Sequence, residues 1–141
     1  MAKQVLTNVA VTFGTANTDI TSYVAAVTLN LTAAEITTTN FGSSGATTRI
    51  QGLKDHSITI DLHQDYPVIE KLFYDAFAAG TPVAMTVKPN GTAAAGSSNP
   101  QYAFSVLPVS WAPISGAVGE LATASITWPI DGNVTKTGTG A

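Results

Sequence analysis

Hydrophobic and polar residues alternate with a period of two along much of this chain. In VAAVTLNLTA, Val27, Leu29 and Leu31 fall on one side and Thr28, Asn30 and Thr32 on the other. HSITIDLHQ sets Ile58, Ile60 and Leu62 against Thr59, Asp61 and His63. LATASITWPI sets Ile126, Trp128 and Ile130 against Thr123, Ser125 and Thr127. Successive side chains of a strand point to opposite faces, so each segment predicts a strand with one face in a core and the other toward something polar. Thr and Val also suit a pleated surface. Further strands are expected at about residues 4–13, 83–88 and 101–111.

One segment changes period. DYPVIEKLFYDAFAAG carries Val68, Leu72 and Ala76, and Ile69, Phe73 and Phe77, at helical spacing, with Glu70, Lys71 and Asp75 opposite. Asp65 or Tyr66 can cap its start, Pro67 fits the first turn and Gly80 the stop. The pattern predicts one helix, about residues 67–79, lying on a sheet. Between the strands, residues 37–53 read as a long loop with a flexible Gly42–Gly45 centre, and PNGTAAAGSSNPQ as a turn followed by small residues. The polar end DGNVTKTGTGA reads as a loose tail, ordered only by a neighbour.

The 141 residues suit a single domain, spanning 1–141, with extended segments at 1–18 and 131–141. Charged residues make up only 11%, against roughly 25% in an ordinary soluble domain. A surface so poor in charge is weakly protected against self-association, which fits a protein covered by copies of itself. The net charge of −3 and six scattered cations leave no grip for nucleic acid. There are no cysteines, hence no disulfide or thiolate chemistry. The start of the chain does not read as a secretory signal, no apolar run is long enough to span a bilayer, and the N-x-T sequences at Asn30, Asn90 and Asn133 read as chance.

Both histidines and three of the six aspartates sit in RIQGLKDHSITIDLHQDYP. On a strand, His56 and His63 point to opposite faces and cannot share a metal, whereas Asp61 and His63 share one face as an acid–base or ligand pair. No HExxH, G-x-S-x-G, Walker or G-x-G-x-x-G pattern accompanies them. The reading is a polar strand face, not an enzyme; no catalytic residue, metal or cofactor is expected. Tyr102, Phe104, Trp111 and Trp128 suit a core, with a sugar platform on Trp111 or Trp128 as the alternative.

Three stretches, read in order, carry a resemblance: TTTNFGSSGATTRIQGLKD, the VKPNG…SSNPQY passage and VGELATASITWPI. Together with DITSYVAAVTL they resemble the major tail (tail tube) proteins of long-tailed bacteriophages over about residues 19–130. His56 and His63 depart from that family's pattern, which has a small residue and an Asn there. The resemblance implies a mainly β fold, a β-sandwich or half-barrel with one flanking helix. It also implies hexameric rings stacked into a hollow virion tail tube, made in the host cytoplasm. The tube would carry the genome into the host without specific binding. Its partners would be a tape-measure protein, a tail terminator and baseplate or tip proteins.

Within that frame the loop at 37–53 is expected to touch the next ring through Phe41, Arg49 and Ile50, because apolar and Arg side chains dominate contact energy. Thr28, Asn30, Thr59, Asp61, His63, Thr123, Ser125 and Thr127 form the polar strand face expected at the lumen or at a subunit contact. A non-enzymatic carbohydrate- or protein-binding β-sandwich is the alternative.

Overall fold

The structure, a computed structural model, describes residues 5–14 and 16–137. Its strands are β1 (Ala10–Phe13), β2 (Thr18–Asp19), β3 (Val24–Asn30), β4 (Ala33–Thr37), β5 (Arg49–Lys54), β6 (Ser57–His63), β7 (Val83–Lys88), β8 (Gln101–Val106) and β9 (Thr123–Thr137). One helix, α1 (Lys71–Ala79), follows a wide turn at Tyr66–Glu70. Seven strands form one antiparallel sheet in the order β2-β1-β7-β8-β9-β6-β3, and β4 and β5 form a separate hairpin.

The topology forces the sheet to curl. Its edge strands β2 and β3 are nearly consecutive in the chain, joined through the 3-10 turn Thr21–Tyr23. Residues 20–23 span at most about 14 Å. A flat sheet would hold its outermost strands roughly 29 Å apart, since neighbours lie about 4.8 Å apart. The sheet therefore bends into a half-barrel.

The bend is made in β9. This strand of 15 residues pairs with β6 from Thr123 to Pro129 and with β8 from Ile130 to Thr137. Proline offers no N–H to a ladder, and Pro129 stands where the partner changes. A register shift between Ala103 and Ser105 of β8 places extra β9 residues opposite, and Gly132 there has φ +88°. A bulge with a left-handed glycine turns a strand from one sheet direction into the other.

The inward-facing residues make one core. Ile58, Ile60 and Leu62 of β6 meet Ile126, Trp128 and Ile130 of β9, with Val11, Phe13, Met85, Val87, Phe104 and Val106 around them. Ile69, Phe73 and Ala76 of the helical segment close over it. Phe73 stacks on Phe13 at 4.5 Å and lies 5.6 Å from Trp128, the offset packing aromatic rings prefer. Fully buried, Trp128 donates its Nε1–H to Ser110 O at 2.8 Å. It is a core residue and offers no platform to a sugar. Trp111 lies beside Phe73 at 5.1 Å, half-buried.

Five expectations need correction. Residues 4–9 are not a strand where described; the ladder begins at Ala10. The strand expected to reach residue 111 stops at Val106, ahead of Pro108. Of the expected loop at 37–53, Thr37 and residues 49–53 belong to the strands of the hairpin β4–β5, while residues 38–48 lie outside them. Residues 131–137 are the second half of β9 and pair with β8, where a loose tail was expected. Phe77, assigned by spacing to the helix's inner side, is exposed, as is Val68. Residues 1–4 and 138–141 of the expected terminal extensions lie outside the described residues.

Candidate assembly surfaces

The register of β3, β6 and β9 gathers the polar residues onto one face. Thr28, Thr59 and Thr127 stand in one row across the three strands. Ala26, Asp61 and Ser125 form the next, and His63 and Thr123 the one beyond. Asn30 lies opposite Ser57 at the other end. All eight polar-face residues named from the alternation share this side, because their neighbours Ile58, Ile60, Leu62, Ile126 and Trp128 fill the core.

Cross-strand hydrogen bonds tie the rows together. The hydroxyls of Thr59 and Thr127 are 3.2 Å apart, and Ser125 donates to Asp61 Oδ1 at 2.7 Å. Asp61 is thus engaged by a serine, and no hydrogen bond joins it to His63. An acid–base dyad is not assembled. His63 Nδ1 is buried and finds no partner among the described residues. His56 lies just before β6 and is only 7% exposed. Its Nδ1 accepts the Thr32 N–H at 3.2 Å, and its carbonyl accepts the Ile130 N–H at 2.9 Å. That is a structural clamp at the hairpin base, reinforced by the Thr32 hydroxyl donating to Asp55 O. Among the described residues, no three His, Asp or Glu side chains converge as a metal site.

The second surface is the hairpin. Nearly every residue of β4 and β5 is exposed, and the pair stands as its own two-stranded sheet. Ile36 faces Ile50 across the ladder, and a Cβ on Gly52 would meet Ile36 and Ala34, so these four share one apolar side. Glu35, Thr37, Arg49 and Gln51 alternate onto the other side, where Arg49 Nε and Glu35 Oε1 form an ion pair at 2.7 Å. The hairpin is amphipathic, and both isoleucines of its apolar side are exposed. Isolated two-stranded hairpins are marginal in water.

The tip is wired rather than loose. Asn40 Oδ1 accepts the Gly42 N–H at 2.8 Å, and Ser43 Oγ accepts the Asn40 N–H at 3.1 Å. The Thr38 and Thr48 hydroxyls bond at 2.8 Å, and Ser44 and Gly45 take left-handed φ values of 54° and 83° to close the turn. This frame holds Phe41 wholly in solvent. The three loop residues expected to act together therefore separate: Phe41 at the tip, Ile50 on the apolar side, and Arg49 on the polar side, neutralised by Glu35. Ile36 and Gly52 belong with Ile50, yet nothing in the Thr-rich sequence around them singled them out.

The link between the sheet edges is braced at both ends. Hydrogen bonds from the Thr21 side chain and backbone hold the Asp19 carboxyl below its usual pKa. Hydrogen bonding to the Asp65 carboxylate, then burial, raises the Tyr23 hydroxyl above its usual value.

No protein-family model and no curated protein matches the chain. Solved structures do. A chain from the virion of a native gene transfer agent particle superposes with a TM-score of 0.78 at 14% identity, covering 96% of this chain and 99% of that one. A chain from the sheath–tube complex of the PVC extracellular contractile injection system, in its extended state, gives 0.69 at 16% identity, covering 96% and 90%. A chain from the six-fold symmetrised baseplate of the anti-feeding prophage gives 0.67 at 10% identity, covering all of both. This chain has the fold of subunits from phage-like tail and injection particles.

Proposed function

We propose that this chain is a non-enzymatic structural subunit that assembles into hexameric rings stacked as a hollow phage-type tail tube. The observation that carries the proposal is the end-to-end match to a subunit of the native gene transfer agent virion, 96% of one chain on 99% of the other. The surfaces support it. A hairpin with an uncovered apolar side invites burial between copies, and a sheet with an unpaired edge strand invites a neighbour. Head-to-tail contacts that close by rotation give rings.

The polar face on β3, β6 and β9 is then the lumen wall. Thr59 bonds to Thr127 and Ser125 to Asp61 there, so this face of short polar side chains presents hydration and no cation to a passing strand. At −3 per chain, six copies carry −18 per ring, which repels nucleic acid. The genome would pass through without being held. Tape-measure, terminator and baseplate or tip proteins are the partners such a tube needs, and the virion tail is its place.

Negative-stain electron microscopy of the purified chain at high concentration tests this reading. Hollow tubes or stacked six-fold rings are the expected result. A chain that stays monomeric both alone and with a matching tail-tip complex overturns it.

A further inference from the structure

Because the sheet is a half-barrel, its core opens at a seam. Among the described residues, the β3 edge that does not face β6 has no partner strand, and the segment before β1 lies across from it. There a groove of about 240 Å³ is lined by Leu6, Val9, Val27, Leu29, Leu31 and Tyr102, with no charged side chain in its lining. A dry apolar cavity of about 150 Å³ suffices to bind benzene. A phenyl ring therefore fits this groove.

The same chain carries an unplaced phenyl ring. Phe41 stands wholly exposed on a turn that hydrogen bonds hold in shape, in an uncharged stretch from Thr37 to Thr48. It cannot reach its own groove. Leu31 lies at the hairpin base, and the strand β4 alone carries the tip about 17 Å away at strand rise. Knob and socket thus occupy separate surfaces of one chain, the geometry of a heterologous contact that propagates from copy to copy.

We infer that the hairpin tip of one copy docks Phe41 into the seam groove of a second copy. This deepens the tube reading and rests on it for the meaning of the contact, but not for its detection. Neither surface is charged, so the contact is apolar in character and little affected by salt.

Since the chain has no cysteine, disulfide trapping reads the contact directly. Gly42→Cys, which keeps the Phe41 ring beside it, is mixed with a mass-tagged Leu31→Cys and oxidised, beside a control pairing of Gly42→Cys with Val118→Cys, an exposed apolar position. Leu31 is 53% exposed, so its replacement spares the core, and thermal melting confirms that each variant folds. A heterodimer with Leu31→Cys at least about tenfold above the control is expected. Equal yields, or none, overturn the docking. A second reading uses Phe41→Ser, which keeps the groove but lacks the knob. Added to wild type, it should cap growing assemblies and shorten them; no effect counts against the docking. Tubes without the cross-link sink the docking and leave the tube reading standing. The cross-link without tubes does the reverse.

Discussion

A Cβ added to Gly52 would stand 2.8 Å from Ile36 Cδ1, so the absence of a side chain on β5 is what lets Ile36 lie flat across the hairpin. The flat apolar side made by Ala34, Ile36, Ile50 and Gly52 follows from that contact. Gly52→Ala should lift Ile36 off the surface. The atom met is the end of a flexible side chain and the glycine has no left-handed φ, so the folded chain should melt within about 1 kcal/mol of wild type. Assembly should suffer instead, with a critical concentration raised severalfold in light scattering. Unchanged assembly would mean that this side of the hairpin stays in solvent.

Trp128 makes the opposite prediction, large for folding. It is fully buried, packs on Phe73 and Phe13, and donates to Ser110 O. Trp128→Ala should cost about 3–5 kcal/mol of stability in denaturant titration, through lost contacts and the cavity left behind. Trp128→Phe keeps an aromatic ring but strands the Ser110 carbonyl, at about 1–3 kcal/mol. Glycans should leave the fluorescence of Trp128 unchanged in the wild type; quenching assigned to it by comparison with Trp128→Phe would revive a sugar-binding reading.

Much of this architecture is legible in the sequence because parity survives folding. Thr59, Asp61 and His63 had to lie together once Ile58, Ile60 and Leu62 went into the core, and β9 repeats the logic. The hairpin was obscured for physical reasons. Thr37, Thr38 and Thr39 in succession give no alternation. Gly52 leaves a blank where an apolar residue would mark the inner side, and a register shift between Ala33 and Glu35 breaks the count. The second half of β9 was hidden likewise. DGNVTKT holds a single apolar residue, Val134, and its pairing depends on a bulge at Gly132 that period-two reading does not anticipate. The seam groove was out of reach, because it exists only where the curled sheet leaves its two edges unjoined.

The brace on the Thr21–Tyr23 link makes stability depend on pH at both ends. Asp19 has a lowered folded pKa, so its contribution is present above the ordinary Asp range near 4 and is lost as pH falls through the folded value. Tyr23 has a raised folded pKa, so its contribution is complete below about 10 and is lost as pH rises through the folded value. Melting curves of Asp19→Asn should converge on wild type in acid, and those of Tyr23→Phe in strong alkali. Parallel curves across the whole range would show that neither bond supports the link.

Asp61 tests whether the polar face looks into the channel. It is exposed, and it accepts from Ser125. Asp61→Lys exchanges that bond for a free cation at a surface position, a change that should cost folding about 1 kcal/mol at most. The substitution moves each chain from −3 to −1 and a six-copy ring from −18 to −6, with all six new cations at one height. If the face lines the lumen, tubes of Asp61→Lys should retain linear DNA at low salt and release it as salt rises, because each Lys–phosphate contact formed frees a counterion. Wild-type tubes should retain none. Intact Asp61→Lys tubes as indifferent to DNA as the wild type would place this face outside the channel, and tubes that fail to form would place it between subunits.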